Sequence, residues 1–280
     1  MKTRIDKNGG AKNRAGSENT PTTRGANQSS TSMRDANVAF NGFFKETFEF
    51  LGELYIHNSV SWFNKNRDDY EKYLMNPARA FVTSIGPFIK FINPLFDTEP
   101  KFNRTLVRLN RDMRFAKKPY KDFFLIRFGR AKWDSELFLY LDRNGIELGV
   151  FVNNEKKDGR RRFEENISSH APLFLEACKK FKIGGEFSAY ELHTGTEPIA
   201  ERFNPARDSG KFGGVDYLIF GKELKKSEKG IFSKSLLALA MKIYNRLYPL
   251  YIFSTSEKAP ADYETYSSRI GLLKISSSTR

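Results

Sequence analysis

Polar residues fill the first 37 positions, which hold Thr, Ser, Asn, Gly, Lys and Arg with almost no large apolar side chain. Such a stretch cannot offset the entropy of ordering and is expected to be a disordered basic tail. The pattern changes at Phe40. Phe40, Phe43, Phe44, Phe48, Leu51, Leu54 and Tyr55 recur at helical spacing and predict an amphipathic helix. After His57-Asn58-Ser59, a second helical pattern runs from Trp62-Phe63 through Tyr70, Tyr73 and Leu74, with Pro77 at a bend or a new start. Residues 80–91 read as helical again, interrupted by Gly86-Pro87. Residues 103–114 set Leu106, Val107 and Leu109 between Arg104, Arg108 and Arg111 and are read as a strand. Residues 123–128 and 136–141 are apolar runs of strand length, Asn144-Gly145 is a hairpin-turn signal, and 146–152 should pair back. The hairpin is apolar on both faces, which places it in the middle of a sheet covered by helices.

Phe163, Ile167, His170, Ala171, Phe174, Cys178 and Phe181 mark one further helix, stopped by Gly184-Gly185. Residues 186–192 and 217–220 read as strands. Phe232, Leu236, Leu239, Ile243 and Leu247 predict a last amphipathic helix ending near Pro249. The expected architecture is α+β: a central, mostly antiparallel sheet covered by amphipathic helices, in a single globular domain over residues 38–253. A disordered basic tail at 1–37 and a flexible, Ser-rich segment at 254–280 flank it. No internal repeat or heptad seam is visible.

Composition narrows the function classes. The 26 Phe and 12 Tyr require segments that pack on one another. The single cysteine, Cys178, excludes an internal disulfide, no apolar run reaches membrane-spanning length, and the first residues lack the apolar core of an export signal. These features predict a cytoplasmic protein with no membrane insertion. The net charge of +14 is unevenly spread. Residues 1–37 hold seven Lys/Arg against three Asp/Glu, and residues 101–132 hold eleven against two. The second segment therefore predicts a local patch for an anionic ligand, nucleic acid being one such partner.

A family resemblance rests on Phe50-Leu51, Leu54, Asn58, Trp62-Phe63 and Tyr70-Glu71, then Arg111-Asp112-Met113-Arg114-Phe115, Pro119-Tyr120-Lys121 and Pro249-Leu250. In that order they resemble the widespread uncharacterised family catalogued as domain of unknown function 2461, over roughly residues 40–253. The resemblance implies no activity. Against the family pattern, the connection from Phe115 to Pro119 is short, Phe124 stands where a histidine is usual, and the Gly-rich stretch after the hairpin is reduced to Gly149. A catalytic role carried by that histidine would be absent here.

The candidate anion-binding residues are Arg108, Arg111, Arg114, Lys117, Lys118, Tyr120 and Lys121. Guanidinium forks hold phosphate or carboxylate bidentately, lysines add charge, and Phe115, Tyr120, Phe123 and Phe124 offer rings for base stacking. The same pattern fits arginines that pair with Asp112 and hold the fold together, or an ordinary strand core. Three readings are open: a non-catalytic module for phosphate-rich material, an enzyme whose pocket for a small phosphorylated or carboxylated ligand is lined by Arg111, Arg114 and Tyr120, and a scaffold with structural arginines. No cofactor or metal site is expected. His57, His170 and His193 are scattered, no Gly-x-Ser-x-Gly elbow exists, and Gly210-Lys211 and Gly221-Lys222 lack the rest of a phosphate-binding loop. The acid-Lys strings at Glu155-Lys156-Lys157 and Glu223-Leu224-Lys225, with Asp142 and Asp208 upstream, match a nuclease ligand set no better than surface charge.

Overall fold

Alternating side chains force a strand to present two faces, and the hairpin residues do so in a computed structural model that describes residues 39–131, 134–192 and 198–277, with side chains through residue 270. The strands are β1 (Phe123–Phe128), β2 (Glu136–Asp142), β3 (Gly145–Asn153), β4 (Ser188–Glu191) and β5 (Tyr217–Lys225). They form one antiparallel sheet in the order β1-β2-β3-β5-β4. The fold is α+β. The turn between β2 and β3 is centred on Arg143-Asn144 rather than on Asn144-Gly145: Asp142 pairs with Gly145. The Asp142 carboxylate accepts from the backbone N–H groups of Asn144 and Gly145 at 2.7 and 3.2 Å, an aspartate turn that needs no left-handed residue. Gly145 serves another purpose, since a Cβ there would lie 2.1 Å from the Leu224 carbonyl oxygen of β5.

The helices are α1 (Lys45–His57), α2 (Val60–Lys65), α3 (Arg67–Asp69), α4 (Asn76–Ile92), α5 (Arg162–Ser169), α6 (Ala171–Lys180), α7 (Pro205–Asp208), α8 (Ser235–Thr255) and α9 (Ala259–Ser277). Leu137, Leu139, Leu141, Ile146, Leu148, Val150 and Val152 point from the hairpin into the main core, where α8 lies across β2 and β3. Phe138, Phe151, Tyr190, Tyr217 and Ile219 form a second buried cluster on the opposite face, and no described helix contributes to it. The expected helical cover is thus one-sided among the described residues.

Several elements differ from expectation, each for a local reason. Residues 103–114 form no strand. Asn103 turns the chain in the left-handed region, and the segment pairs only through single bridges, Leu106 with Phe102 and with Ile126 of β1, and Asn110 with Tyr120. The helix expected over 163–181 is two helices, because Pro172 has no N–H to give the Ser168 carbonyl and the chain breaks at His170. The pattern after Trp62 is three pieces, with a π-helical turn at Tyr70–Met75 leading into α4, where Pro77 sits in the first turn and Pro87 is carried inside. Pro249 likewise lies inside α8 rather than at its end. Its missing N–H leaves the Asn245 carbonyl without a helical donor, and the Tyr266 hydroxyl lies within donating distance of that oxygen at 3.0 Å and of the Asn245 side-chain oxygen at 2.7 Å. Tyr266 belongs to α9, so residues 259–277 of the segment expected to be flexible form a helix, with Tyr263 and Tyr266 buried against the core. Residues 1–37, the expected tail, lie outside the described residues.

Candidate functional site

The basic segment becomes a loop closed at its base. Arg111 N–H donates to the Pro119 carbonyl at 2.8 Å and Lys121 N–H to the Leu109 carbonyl at 2.7 Å. Asn58 secures the returning leg from the break between α1 and α2. Its amide donates to the Tyr120 carbonyl at 2.9 Å and its carbonyl accepts from the Tyr120 N–H at 3.0 Å. Asn58 is available for this because α1 has ended and Ser59 starts α2, its hydroxyl accepting from Trp62 N–H. The Tyr120 ring is buried and stacks on Phe63 with centroids 4.3 Å apart.

The seven candidate residues separate into braces and outward groups. Arg111 donates from Nε to the Tyr120 carbonyl at 3.1 Å and lies 3.5 Å from the Asp122 carboxylate, largely buried. Lys121 donates to the carbonyls of Arg108 and Asn110 at 2.7 and 3.1 Å. These two, with Tyr120, hold the loop in shape. Lys118 reaches the Tyr55 carbonyl at 3.3 Å, and Arg108 lies over the Phe102 ring, both on the surface. Arg114 forks onto Asp112 from Nε, at 2.9 and 3.1 Å, with its side chain 80% exposed. Hydrogen bonds from Arg114 pull the Asp112 carboxyl down to about 2. Lys117 is exposed at the tip. The three groups expected to line one pocket are therefore divided: Arg111 and Tyr120 face inward, and Arg114 faces solvent.

Sequence reasoning named Phe115 as a ring for stacking and passed over the other exposed apolar groups around this loop. Met113 and Phe115 project at the tip, 54% and 61% exposed, and Ile56 and Val60 lie at the α1–α2 corner, 66% and 55% exposed. Tyr55 of the same corner carries Arg143 over its ring at 3.5 Å and Lys118 at 5.2 Å. Ile56 and Val60 flanking a helix break were the available signal.

Other chemistry-bearing residues are used locally. Tyr190 donates to Glu147 Oε2 at 2.7 Å within the second sheet face, and burial, then the Glu147 charge, raises its hydroxyl well above the usual range. Gly149 and Gly221 pair across β3 and β5 beneath these side chains. A Cβ at 149 would meet the Phe220 carbonyl oxygen at 2.4 Å and the Phe138 ring at 2.7 Å, and one at 221 would meet Glu147 Oε1 at 2.0 Å. Asp208 is fully buried between Arg207 and Lys211, each at 2.8 Å, while Asp142 holds its turn, so the nuclease-like strings do not converge. No group of three or more His, Cys, Asp or Glu able to hold a metal occurs among the described residues. His57 stacks on Trp62, His170 joins α5 to α6, and His193 lies outside the described residues. Burial pushes the Cys178 thiol up to about 12, and an open cavity of about 440 Å³ beside it is lined by Lys179, Lys182 and Pro205 among others.

A family model described as "Conserved hypothetical protein (DUF2461)" matches residues 46–253. The chain belongs to this family. The DUF2461 match spans the five strands, nearly all of α1 and α8, and the whole basic loop, and it ends before α9. No curated protein matches the chain. No described helix is long and apolar enough to cross a membrane.

Proposed function

We propose that this chain is a binding module for phosphate-rich partners, engaged by the tip of the loop at residues 112–118. The observation that carries this reading is the division of labour in the loop. Arg111 and Lys121 bond to carbonyls of the loop itself and Asn58 clamps Tyr120, and this braced frame presents Arg114, Lys117 and Lys118 on the surface, Lys118 with one hydrogen bond to the Tyr55 carbonyl. A preorganised set of cations binds a display of closely spaced phosphates without the entropy cost of first ordering itself. Arg114 exchanges one carboxylate oxygen of Asp112 for a phosphate oxygen at little cost, because both groups are already solvated. Arg108, over the Phe102 ring, and Arg143, over the Tyr55 ring, add further cations near the loop.

The test is binding of a labelled single-stranded oligonucleotide, as a polyphosphate probe, across a salt series. Lys117→Ala/Lys118→Ala is compared with the parent chain, both checked for folding by circular dichroism. Binding should weaken steeply with salt, and the double substitution should flatten the salt slope by roughly one for each phosphate contact removed. Absence of binding at low salt, or an unchanged slope in the folded variant, overturns the reading.

A further inference from the structure

We infer that the phosphates this loop meets are those of an anionic lipid surface, with the apolar tip entering the headgroup layer between them. The inference rests on the phosphate-binding reading and deepens it. Cations alone do not choose between a nucleic acid and a bilayer; the uncharged side chains beside them do. Eight large apolar residues are exposed among the described ones, and five of them, Tyr55, Ile56, Val60, Met113 and Phe115, lie on this loop or the corner it leans on. Isolated exposed apolar residues are ordinary, whereas a concentration of this kind marks a contact surface.

Single-stranded nucleic acid would use aromatic faces as stacking platforms. Here Arg143 and Lys118 already lie over the Tyr55 ring, and Arg114 lies 5.6 Å from the centre of the Phe115 ring, so both aromatic groups of the five already carry a cation. Ile56, Val60 and Met113 have no π-face to offer a base. Acyl chains and the glycerol region accept all of them equally, and the exposed Arg114, Lys117 and Lys118 of the same loop suit lipid phosphates. The corner and the loop are joined through Lys118 to the Tyr55 carbonyl and through Asn58 to Tyr120, which keeps their exposed side chains on one connected surface. The contact is peripheral, made by side chains at a loop tip, and requires no spanning helix.

The experiment is co-flotation of the full chain with phosphatidylcholine vesicles containing, or lacking, roughly one-third phosphatidylserine. The oligonucleotide assay runs in parallel. The parent chain should float with the anionic vesicles and dissociate as salt rises. Phe115→Ser, with folding checked by circular dichroism, should weaken vesicle binding by about tenfold or more, a larger factor than any loss of oligonucleotide binding. Lys117→Ala/Lys118→Ala should weaken both. Oligonucleotide binding without vesicle binding overturns the lipid inference and leaves the phosphate reading standing; failure of both at low salt overturns both. Vesicle binding that ignores Phe115→Ser also overturns the inference, because insertion of the apolar tip is its distinguishing claim.

Discussion

Replacing Asn58 with alanine removes the two hydrogen bonds that fasten the returning leg of the basic loop to the α1–α2 corner. The Tyr120 carbonyl keeps a donor, since Arg111 Nε lies 3.1 Å away, but the buried Tyr120 N–H loses its acceptor. Two ordinary bonds contribute about 1 kcal/mol each, and an orphaned buried donor costs about 1 to 3 kcal/mol. Asn58 itself is half-buried, so water can enter part of the vacated space. The expected loss is therefore about 2 kcal/mol, or about 4 to 8 °C in melting temperature for a domain of this size. Denaturant unfolding at neutral pH should show a lower midpoint with the m-value unchanged. Native-state hydrogen exchange should show faster exchange at Tyr120 and Lys121 than at β3. A loss below about 0.5 kcal/mol would refute the reasoning, because it would mean that Asn58 only decorates a leg held elsewhere.

Gly149→Ala should destabilise by about 2 to 3 kcal/mol, because its Cβ would meet the Phe220 carbonyl at 2.4 Å, a backbone atom that cannot swing aside; a near-neutral denaturation midpoint would contradict that geometry. Asp208 supplies the pH dependence. Hydrogen bonding from Arg207 holds its carboxyl well below the usual range, Lys211 and the Asn204 N–H adding to this against the effect of burial. A depressed folded-state value contributes stability that is present above the unfolded value of about 4 and is lost as pH falls below it, so the parent should exceed Asp208→Asn in stability at about pH 6 and converge with it in acid. Unfolding midpoints of the two chains across pH check this, and a gap that stays constant into acid would refute it. Burial pushes the Cys178 thiol up to about 12, so a thiol-disulfide reagent at mildly alkaline pH should label the native chain slowly, with the rate rising by more than about a hundredfold on denaturation.

The hairpin was legible because its information is local. Leu137, Leu139 and Leu141 alternate with polar or aromatic neighbours, and Asp142 carries the turn chemistry within three residues. Helix α8 was misjudged at its end because the rule that proline stops a helix is also local, whereas its relief comes from Tyr266, far along the chain. The same distance hid α9: its Ser-rich composition reads as loose, and the buried rings of Tyr263 and Tyr266 declare themselves only once α8 provides a wall. At the candidate site, the concentration of cations could be counted from the sequence. Their division could not, since the groups that occupy Arg111 and Lys121 are backbone carbonyls brought near by the loop's own closure, and the clamp on Tyr120 comes from Asn58, 62 residues earlier. Exposure of Met113, Ile56 and Val60 was hidden for the converse reason: large apolar residues in a sequence are assigned to a core until a fold leaves them outside.

The carboxylate of Glu147 lies over Gly221, where any Cβ would come within 2.0 Å of it, and Tyr190 holds that carboxylate so that it cannot simply turn away. Positions 147 and 221 are thus tied into one epistatic unit, whose history must be ordered. A shorter acid at 147 opens the room in which a side chain at 221 becomes tolerable, and the reverse sequence of changes passes through a clash in the middle of the sheet. Glu147→Asp should therefore rescue part of the damage done by Gly221→Ala, a non-additive result that identical substitutions at distant positions would not give.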